Sequence, residues 1–494
     1  MRPGMILFSV VVLFLCAGIL TPKEMLEGFS NKGMITVALL FLVSEGIRQS
    51  GTLGQVIKKL LPQGKTTVFK AQLRILPSVA FISAFLNNTP VVVIFAPIIK
   101  HWAKSVNLPA TKFLIPLSYV TILGGICTLI GTSTNLVVHG MILEAGFEGF
   151  SMFELGKVGI FIAIAGIIYI FLFSKRLLPD ARPDTAVPDE EVEEGEKLHR
   201  VEAVLGARFP GINKKLKDFN FQRHYGAEVK EIKTRNGQRF VTNLDDVVLH
   251  EGDTLVVMAD DTFIPTWGES SVFVLLTNGN EPDTTGKKKR WFALLLLVLM
   301  IVGATVGELP VTKEMFPDIK LDMFFFVSIT TIIMAWTNLF PARKYTKYIS
   351  WDILITIACA FAISKAMVNS GVADSVAKFI IGLSDDYGPH VLLAMVFIIT
   401  NLFTELITNN AAAALAFPLA LSISAQLGVS PTPFFVVICM AASASFSTPI
   451  GYQTNLIVQG IGNYKFTDFV RIGLPLNIIT FLISIILIPL IWNF

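Results

Sequence analysis

Apolar residues along this chain run in blocks long enough to cross, or nearly cross, a hydrocarbon core of roughly 30 Å. Such blocks fall at 5–21, 33–50, 113–143 and 157–174, and resume after a charged middle region at 291–308, 321–340, 351–368, 433–460 and 468–493. Two further apolar pieces, 68–103 and 389–424, each carry an Asn-Asn pair near the centre, Asn87-Asn88 and Asn409-Asn410. Each reads as a re-entrant helical hairpin with the polar pair at its tip. The blocks at 113–143 and 433–460 are too long for one span. They contain Gly131 to Asn135 (GTSTN) and Gly451 to Asn455 (GYQTN), so they read as helices broken at mid-membrane.

The two halves repeat each other. FLNNTPVVVIFAP (Phe85 to Pro97) and IGTSTNLVVHG (Ile130 to Gly140) are matched by LITNNAAAALAFP (Leu406 to Pro418) and IGYQTNLIVQG (Ile450 to Gly460). Ser50-Gly51 recurs as Ser370-Gly371 and Thr134-Asn135 as Thr454-Asn455, both at an offset of 320, with the Asn pairs only two residues out of step. A duplication that places amide-rich breaks inside apolar segments is the mark of a secondary transporter built from repeats.

Composition agrees. Hydrophobic residues make up 53% and charged residues 16% of the chain, and the mean hydropathy is +0.64, where a soluble domain would carry about a quarter charged residues. A net charge of +3 with no long basic stretch argues against a nucleic-acid partner. Cys16, Cys127, Cys359 and Cys439 lie far apart in apolar runs and read as buried thiols, with neither metal spacing nor a disulfide framework. The run from Met5 to Leu20 has no small-residue cleavage site and reads as an uncleaved first membrane helix.

Lys/Arg bias sets the direction. Lys58, Lys59, Lys65, Lys70 and Arg74 precede the first hairpin, and Lys100, Lys104 and Lys112 follow it. Lys175-Arg176, Lys287 to Arg290, Arg343, Lys344 and Lys347 mark other cytoplasmic ends, and the loops at 141–156 and 382–390 face outward. The 33–50 helix then runs outside to inside and its partner at 351–368 inside to outside. The repeats are inverted, and the hairpins enter from opposite faces of a cell (inner) membrane.

Between the halves, residues 180–198 form an acidic linker, and 199–285 have the pattern of a small cytosolic α/β domain. Strands are expected at 226–234, 238–241, 246–249 and 254–259, a hairpin turn at Asn236-Gly237, and a helix from Lys214 to Tyr225. The stretch RFPGINKKLKDFNFQRHYGAEVKEIKTRNGQ, followed by VVLHEGDTLVVMAD, resembles the TrkA-C or RCK-C module of potassium-conductance regulators. That resemblance implies pairing about a two-fold axis, with a nucleotide or cyclic dinucleotide as the ligand in some such modules. A domain that only dimerises or pads the cytoplasmic face is the other reading.

The broken segments bring helix ends together inside a bilayer. Asn88 or Thr89 is expected to cap the second arm of the first hairpin, with Pro90 at its first helical position, and Thr134-Asn135 and Thr454-Asn455 to start the second halves of the broken helices. Four half-helix N-termini pointing at mid-membrane suit a small anion. Exposed carbonyls with Asn, Thr and Ser oxygens suit an alkali cation.

These residues resemble the divalent-anion/sodium symporter family, whose hairpin tips hold sodium and substrate. The first tip is Asn87-Asn88-Thr89 and the second Asn409-Asn410-Ala411; the family's Ser is Asn twice and the second Thr is Ala411. The resemblance implies one sodium among Asn87, Asn88, Gly131, Thr132 and Asn135. It places another among Thr408, Asn409, Asn410, Ser447, Thr448 and Gly451. The anion would lie between Asn88-Thr89 and Asn410, with Ser133, Thr134, Ser447 and Thr448 nearby. The form with NNTPVVVIF and GTSTNLVV is most similar to the sulfate-type branch. The resemblance thus implies an elevator-type symporter, in lipid, of a divalent anion, with a homodimeric scaffold. A dicarboxylate carrier, a ligand-gated cation channel and an arsenite-type efflux carrier are the alternatives. No channel filter of the TVGYG kind and no phosphate-binding loop supports the last two, and no nucleophile–base set supports an enzyme.

Of the charged residues near membrane depth, Glu45 and Lys365 occupy equivalent repeat positions and read equally as functional groups or, lying near predicted helix ends, as snorkelling side chains or a structural pair. Glu405 is the better candidate for a local role, and His139 reads as a hydrogen-bonded core histidine.

Overall fold

A computed structural model describes residues 3–180, 199–206, 208–234, 238–260, 263, 267, 272–277, 287–316, 319–382 and 388–494. Residues 181–198 of the linker, the Asn236-Gly237 turn and part of the 382–390 loop lie outside these residues. The chain is a multi-pass membrane protein: among the described residues, 7 helices are long and apolar enough to cross a membrane.

The first half runs α1 (Pro3–Cys16), α2 (Lys32–Gln49), α3 (Thr52–Leu60), α4 (Val68–Ser83), α5 (Asn88–Ser105), α6 (Leu114–Gly125), α7 (Ser133–Glu144) and α8 (Gly156–Leu177). The predicted hairpin is α4 and α5, separated by Ala84 to Asn87, and the predicted broken helix is α6 and α7. After the insert come α10 (Lys287–Gly307), α11 (Met323–Trp336), α12 (Trp351–Asn369), α13 (Val372–Gly382), α14 (Gly388–Leu406), α15 (Asn409–Leu427), α16 (Thr432–Ser443), α17 (Gln453–Gly462) and α18 (Phe466–Ile491). Here α14 and α15 form the second hairpin, and α16 and α17 the second broken helix. The sequence pattern passed over α3 and α13, which are short and carry a single apolar face, unlike the spanning helices.

The insert differs more from expectation. Its sheet has five antiparallel strands in the order β3-β2-β4-β1-β5: β1 (His199–Leu205), β2 (Glu228–Lys233), β3 (Arg239–Phe240), β4 (Thr254–Ala259) and β5 (Phe273–Thr277). The expected helix over 214–225 is reduced to α9 (Phe221–Tyr225) after a short 3-10 turn, and the expected strand at 246–249 is a single bridge from Val248 to Lys215. Asn220 ends the 3-10 stretch by accepting from the Arg223 amide, which starts α9 there and shortens it. Phe209, Phe219, Phe221, Tyr225 and Phe273 fill one side of the sheet.

Packing in the membrane halves follows the repeat. The second arm α5 lies along α17, and the second arm α15 along α7, so each hairpin leans on the broken helix of the other half. Ala411 to Ala414 and Ala416 are all buried, and these small side chains let α15 approach α7, α12 and α16 closely. α2 packs with α11, and α1 with α12.

Candidate functional site

The four half-helices that begin inside the fold are α5, α7, α15 and α17, with N-cap residues Asn87, Thr132, Thr408 and Tyr452. None of the four N-cap side chains bonds back to its own helix, so the first-turn N–H groups are left uncapped. This corrects the expected starts. Asn88, Ser133, Asn409 and Gln453 are the first helical residues, and Asn88 is spent on contacts other than a cap.

Carbonyl oxygens only accept hydrogen bonds, so the Asn88 amide nitrogen is the atom facing the carbonyls of Thr121 (3.1 Å) and Gly131 (3.2 Å) and the Ser83 hydroxyl (2.8 Å). Its oxygen then accepts from the Tyr452 hydroxyl at 2.5 Å. With that proton committed, Tyr452 accepts from Thr132 at 3.0 Å. Beside it, Thr89 donates to Gln453 Oε1 at 3.2 Å. At the other tip, Ser133 and Thr134 donate to Asn410 Oδ1 at 3.2 and 3.1 Å, and Asn409 Nδ2 donates to Thr134 at 2.6 Å. Each tip is thus tied to the start of the opposite half's helix, and the Thr132–Tyr452 bond joins the two ties into one cluster.

The candidate cation sites lie behind the tips and are built alike. In the first, the Gly131 N–H donates to Thr128 Oγ1 (3.1 Å), the Thr128 hydroxyl bonds the Ala84 carbonyl, and Asn135 Nδ2 donates to the Thr128 carbonyl (2.9 Å). In the second, Gly451 N–H donates to Thr448 Oγ1 (3.4 Å), Thr448 donates to the Glu405 carbonyl (3.1 Å), and Asn455 Nδ2 donates to the Thr448 carbonyl (3.1 Å). One difference separates them. Ser118 donates to Asn455 Oδ1 at 2.6 Å, while the position 320 residues after Ser118 is Ile438, which has nothing to donate. Asn135 Oδ1 is accordingly buried with no partner among the described residues, as are Thr408 Oγ1 and Glu405 Oε2. Buried oxygens without donors are the groups a bound cation satisfies.

The structure therefore brings Asn88, Thr89, Thr132, Ser133, Thr134, Asn409 and Asn410 into one bonded cluster and sets Gly131 and Asn135 directly behind it. Asn87 is buried at the first break. Ser447 and Thr448 are held at the second break, where Glu405 Oε1 accepts from the Ser447 N–H at 2.9 Å. Sequence reasoning missed Tyr452, Gln453, Ser83, Thr128 and Asn477. For Tyr452 and Gln453 the signal was present: they stand where Thr132 and Ser133 stand in the first copy, but their different side chains hid the equivalence.

Two expectations change. Glu45 is paired with Arg48 (2.7 Å) and Gln49 (2.5 Å), not with Lys365. His139 Nδ1 is buried without a hydrogen-bond partner among the described residues, so it is not the hydrogen-bonded histidine expected. It lines a cavity of about 1240 Å³ together with Lys32, Glu144, Glu308, Asp322 and Lys365.

The insert rests on the same machinery. Glu202 of β1 pairs with Lys100 of α5 at 2.8 and 2.9 Å, and with Lys233 of β2 at 3.4 Å. Burial would raise the Glu202 carboxyl, but Lys100, Lys233 and Arg200 pull it down to about 2. A Cβ on Gly460 of α17 would stand 2.8 Å from Thr254 Oγ1 and 3.1 Å from the Gly252 carbonyl, so only glycine admits this approach. A Cβ on its repeat equivalent, Gly140 of α7, would stand 2.5 Å from Asn31 Oδ1 and 3.3 Å from the Gly33 Cα at the start of α2.

Comparison with known proteins gives a family model described as citrate transporter, matched by residues 1–424 and 319–493. An uncharacterized transporter of Synechocystis is 30% identical over 98% of this chain and 93% of its own length. Its alignment runs over 570 positions, so it carries sequence that this chain lacks. A protein of Chlamydomonas reinhardtii named as a sulfur deprivation response regulator is 28% identical over 97% of this chain and 96% of its own length. Sodium/sulfate cotransporter 2 of the same alga is 31% identical over 57% of this chain and 31% of its own length.

Proposed function

This chain belongs to the citrate transporter family, and from that premise we propose that it is a sodium-coupled symporter of a divalent anion, sulfate first. The observation that carries this reading is the bonded cluster of four uncapped half-helix starts. Their N–H groups and positive dipole ends supply anion affinity without a fixed countercharge. The anion lies among Asn88, Thr89, Ser133, Thr134, Asn410, Ser447 and Thr448. Sodium ions sit behind it, one at Asn87, Asn88, Gly131, Thr132 and Asn135, the other at Thr408, Asn409, Asn410, Ser447, Thr448 and Gly451. The donorless Asn135 and Thr408 oxygens support cations there. The sodium/sulfate cotransporters among its relatives support both the ion and the anion. A carboxylate substrate is the second reading, favoured by the family's description. The second tip argues against it, because Ala411 offers no hydroxyl to a second carboxylate.

Transport follows an elevator path in which α7 and α15 pack on the scaffold helices α2 and α12 in the conformer described. By repeat symmetry, α5 and α17 take over those contacts in the alternate conformer. The Lys/Arg bias puts α5 and the insert on the cytoplasmic side of the cell membrane. At Gly460 the insert occupies the surface that the scaffold occupies at Gly140, so it regulates by holding back that exchange.

The deciding experiment is uptake of labelled sulfate and labelled succinate into proteoliposomes, with and without a sodium gradient. Sulfate uptake that needs sodium and rises with it more steeply than first order is expected. Full uptake in sodium-free buffer under a pH gradient, or succinate carried better than sulfate, would overturn the coupling or the ranking.

A further inference from the structure

The second hairpin carries a carboxylate where the first carries a hydroxyl. Glu405 stands five residues before Asn410, and its counterpart five residues before Asn88 is Ser83. Ser83 is neutral and is bonded to Asn88 at 2.8 Å. Glu405 is held differently: Oε1 accepts from the Ser447 amide N–H at 2.9 Å and from Asn477 Nδ2 at 2.8 Å. The same Asn477 nitrogen donates to Ser447 Oγ at 2.9 Å, which fixes the carboxamide with its oxygen turned away from these partners.

Three oxygens are then left over. Glu405 Oε2, Asn477 Oδ1 and Thr408 Oγ1 are all buried and have no hydrogen-bond partner among the described residues. Asn477 itself is 7% exposed. The donors to Glu405 are an amide and a carboxamide, both neutral, and among the described residues no cationic side chain is paired with this acidic group. A third hydrogen-bond donor would satisfy one oxygen; a cation satisfies an acidic group and several acceptors together.

We propose that Glu405, with Asn477 and Thr408, holds the sodium ion of the second repeat, so that this site is anionic where the site of the first repeat is neutral. The inference rests on the sodium-coupled reading above and adds to it ligands from α14 and α18. It gives the two sites different affinities. The second binds sodium first and more tightly, because the ion there meets an acidic side chain whose buried Oε2 has no donor among the described residues. The first fills afterwards.

The test is sodium binding without transport. The full-length protein in detergent is titrated with NaCl, ionic strength being held with choline chloride, and its unfolding temperature is read. Wild type should be stabilised by sodium. Glu405→Gln, which keeps the acceptor for Ser447 and Asn477, should raise the sodium midpoint at least about tenfold, equivalent to about 1.4 kcal/mol. Glu405→Asp should keep most of the response, and Asn477→Ala should shift the midpoint in the same direction as Glu405→Gln. A Glu405→Gln midpoint within about twofold of a sodium-responsive wild type overturns this proposal and leaves sodium coupling standing. A wild type indifferent to sodium overturns both. If Glu405→Gln gives no cooperative unfolding, Asn477→Ala decides by the same two outcomes.

Discussion

Thr132 and Tyr452 occupy the same position in the two halves of the chain, 320 residues apart, and their hydroxyls are hydrogen-bonded to each other at 3.0 Å. Residues related by a two-fold operation touch only where both lie beside the axis. The next pair, Ser133 and Gln453, diverges from that axis, one to Asn410 and the other to Thr89 at 3.2 Å each. The axis therefore passes through the meeting point of the four half-helix starts, and a ligand bound there is shared by both halves.

Tyr452→Phe removes the bond to Asn88 and the bond to Thr132 at once. An unpaired buried donor or acceptor costs about 1–3 kcal/mol, so the unfolding temperature should fall and sulfate uptake should drop. Thr132→Val should have a smaller effect, and the double variant should resemble Tyr452→Phe alone, because the two residues share one bond. Additive losses in unfolding temperature would show that the hydroxyls act independently.

Asn88→Ala and Asn410→Ala are each expected to abolish sulfate uptake in protein that still inserts and runs as a single species on size exclusion. Asn88 ties the first tip to Thr121, Gly131 and Tyr452, and Asn410 ties the second to Ser133 and Thr134. Near-normal uptake per inserted molecule by either variant would move the anion elsewhere.

Much of this arrangement was legible in the chain because the duplication is carried by short polar motifs in apolar surroundings. The hairpins and broken helices fall within a few residues of their predicted ends, since a polar pair in a membrane segment has few places to go. The crossing of each tip to the other half was not legible. It depends on Tyr452 and Gln453, whose counterparts Thr132 and Ser133 share hydrogen-bonding capacity but not residue type. The role of Asn477 was hidden for another reason: it lies on α18, outside either motif, and only folding brings it to Glu405 and Ser447. In the insert, β1 and β5 were missed because the strands on that side of β4 come from the two ends of the insert.

Ala411 is buried at the start of α15, one residue after Asn410. Ala411→Thr adds a hydroxyl at the second tip, where the first tip has Thr89. Weaker sulfate uptake and detectable succinate competition are expected, because a longer diacid needs a donor at each end. Competition assays with unlabelled succinate against labelled sulfate check this. Unchanged selectivity would remove Ala411 from the determinants of substrate choice.

The Lys100–Glu202 pair couples the insert to α5, and its charge can be reversed without touching the tips. Lys100→Glu should loosen the insert and raise uptake about fivefold or more, as expected for a coupling of about 1–3 kcal/mol. Adding Glu202→Lys should restore the wild-type rate, and replacing residues 190–285 by a short linker should resemble Lys100→Glu alone. The pH dependence has a definite sign. The folded Glu202 carboxyl is lowered from 4.5 to about 2, so its contribution to docking is complete above about pH 4.5 and is lost as pH falls toward 2. Uptake measured between about pH 7 and pH 5 should therefore show no release of the brake through this pair. Activation of the wild type within that window, absent from Lys100→Glu, would show that Glu202 titrates far above the position its neighbours impose. If the charge reversal left uptake unchanged while the deletion raised it, the restraint would reside instead in the close approach of Gly252 and Thr254 to Gly460.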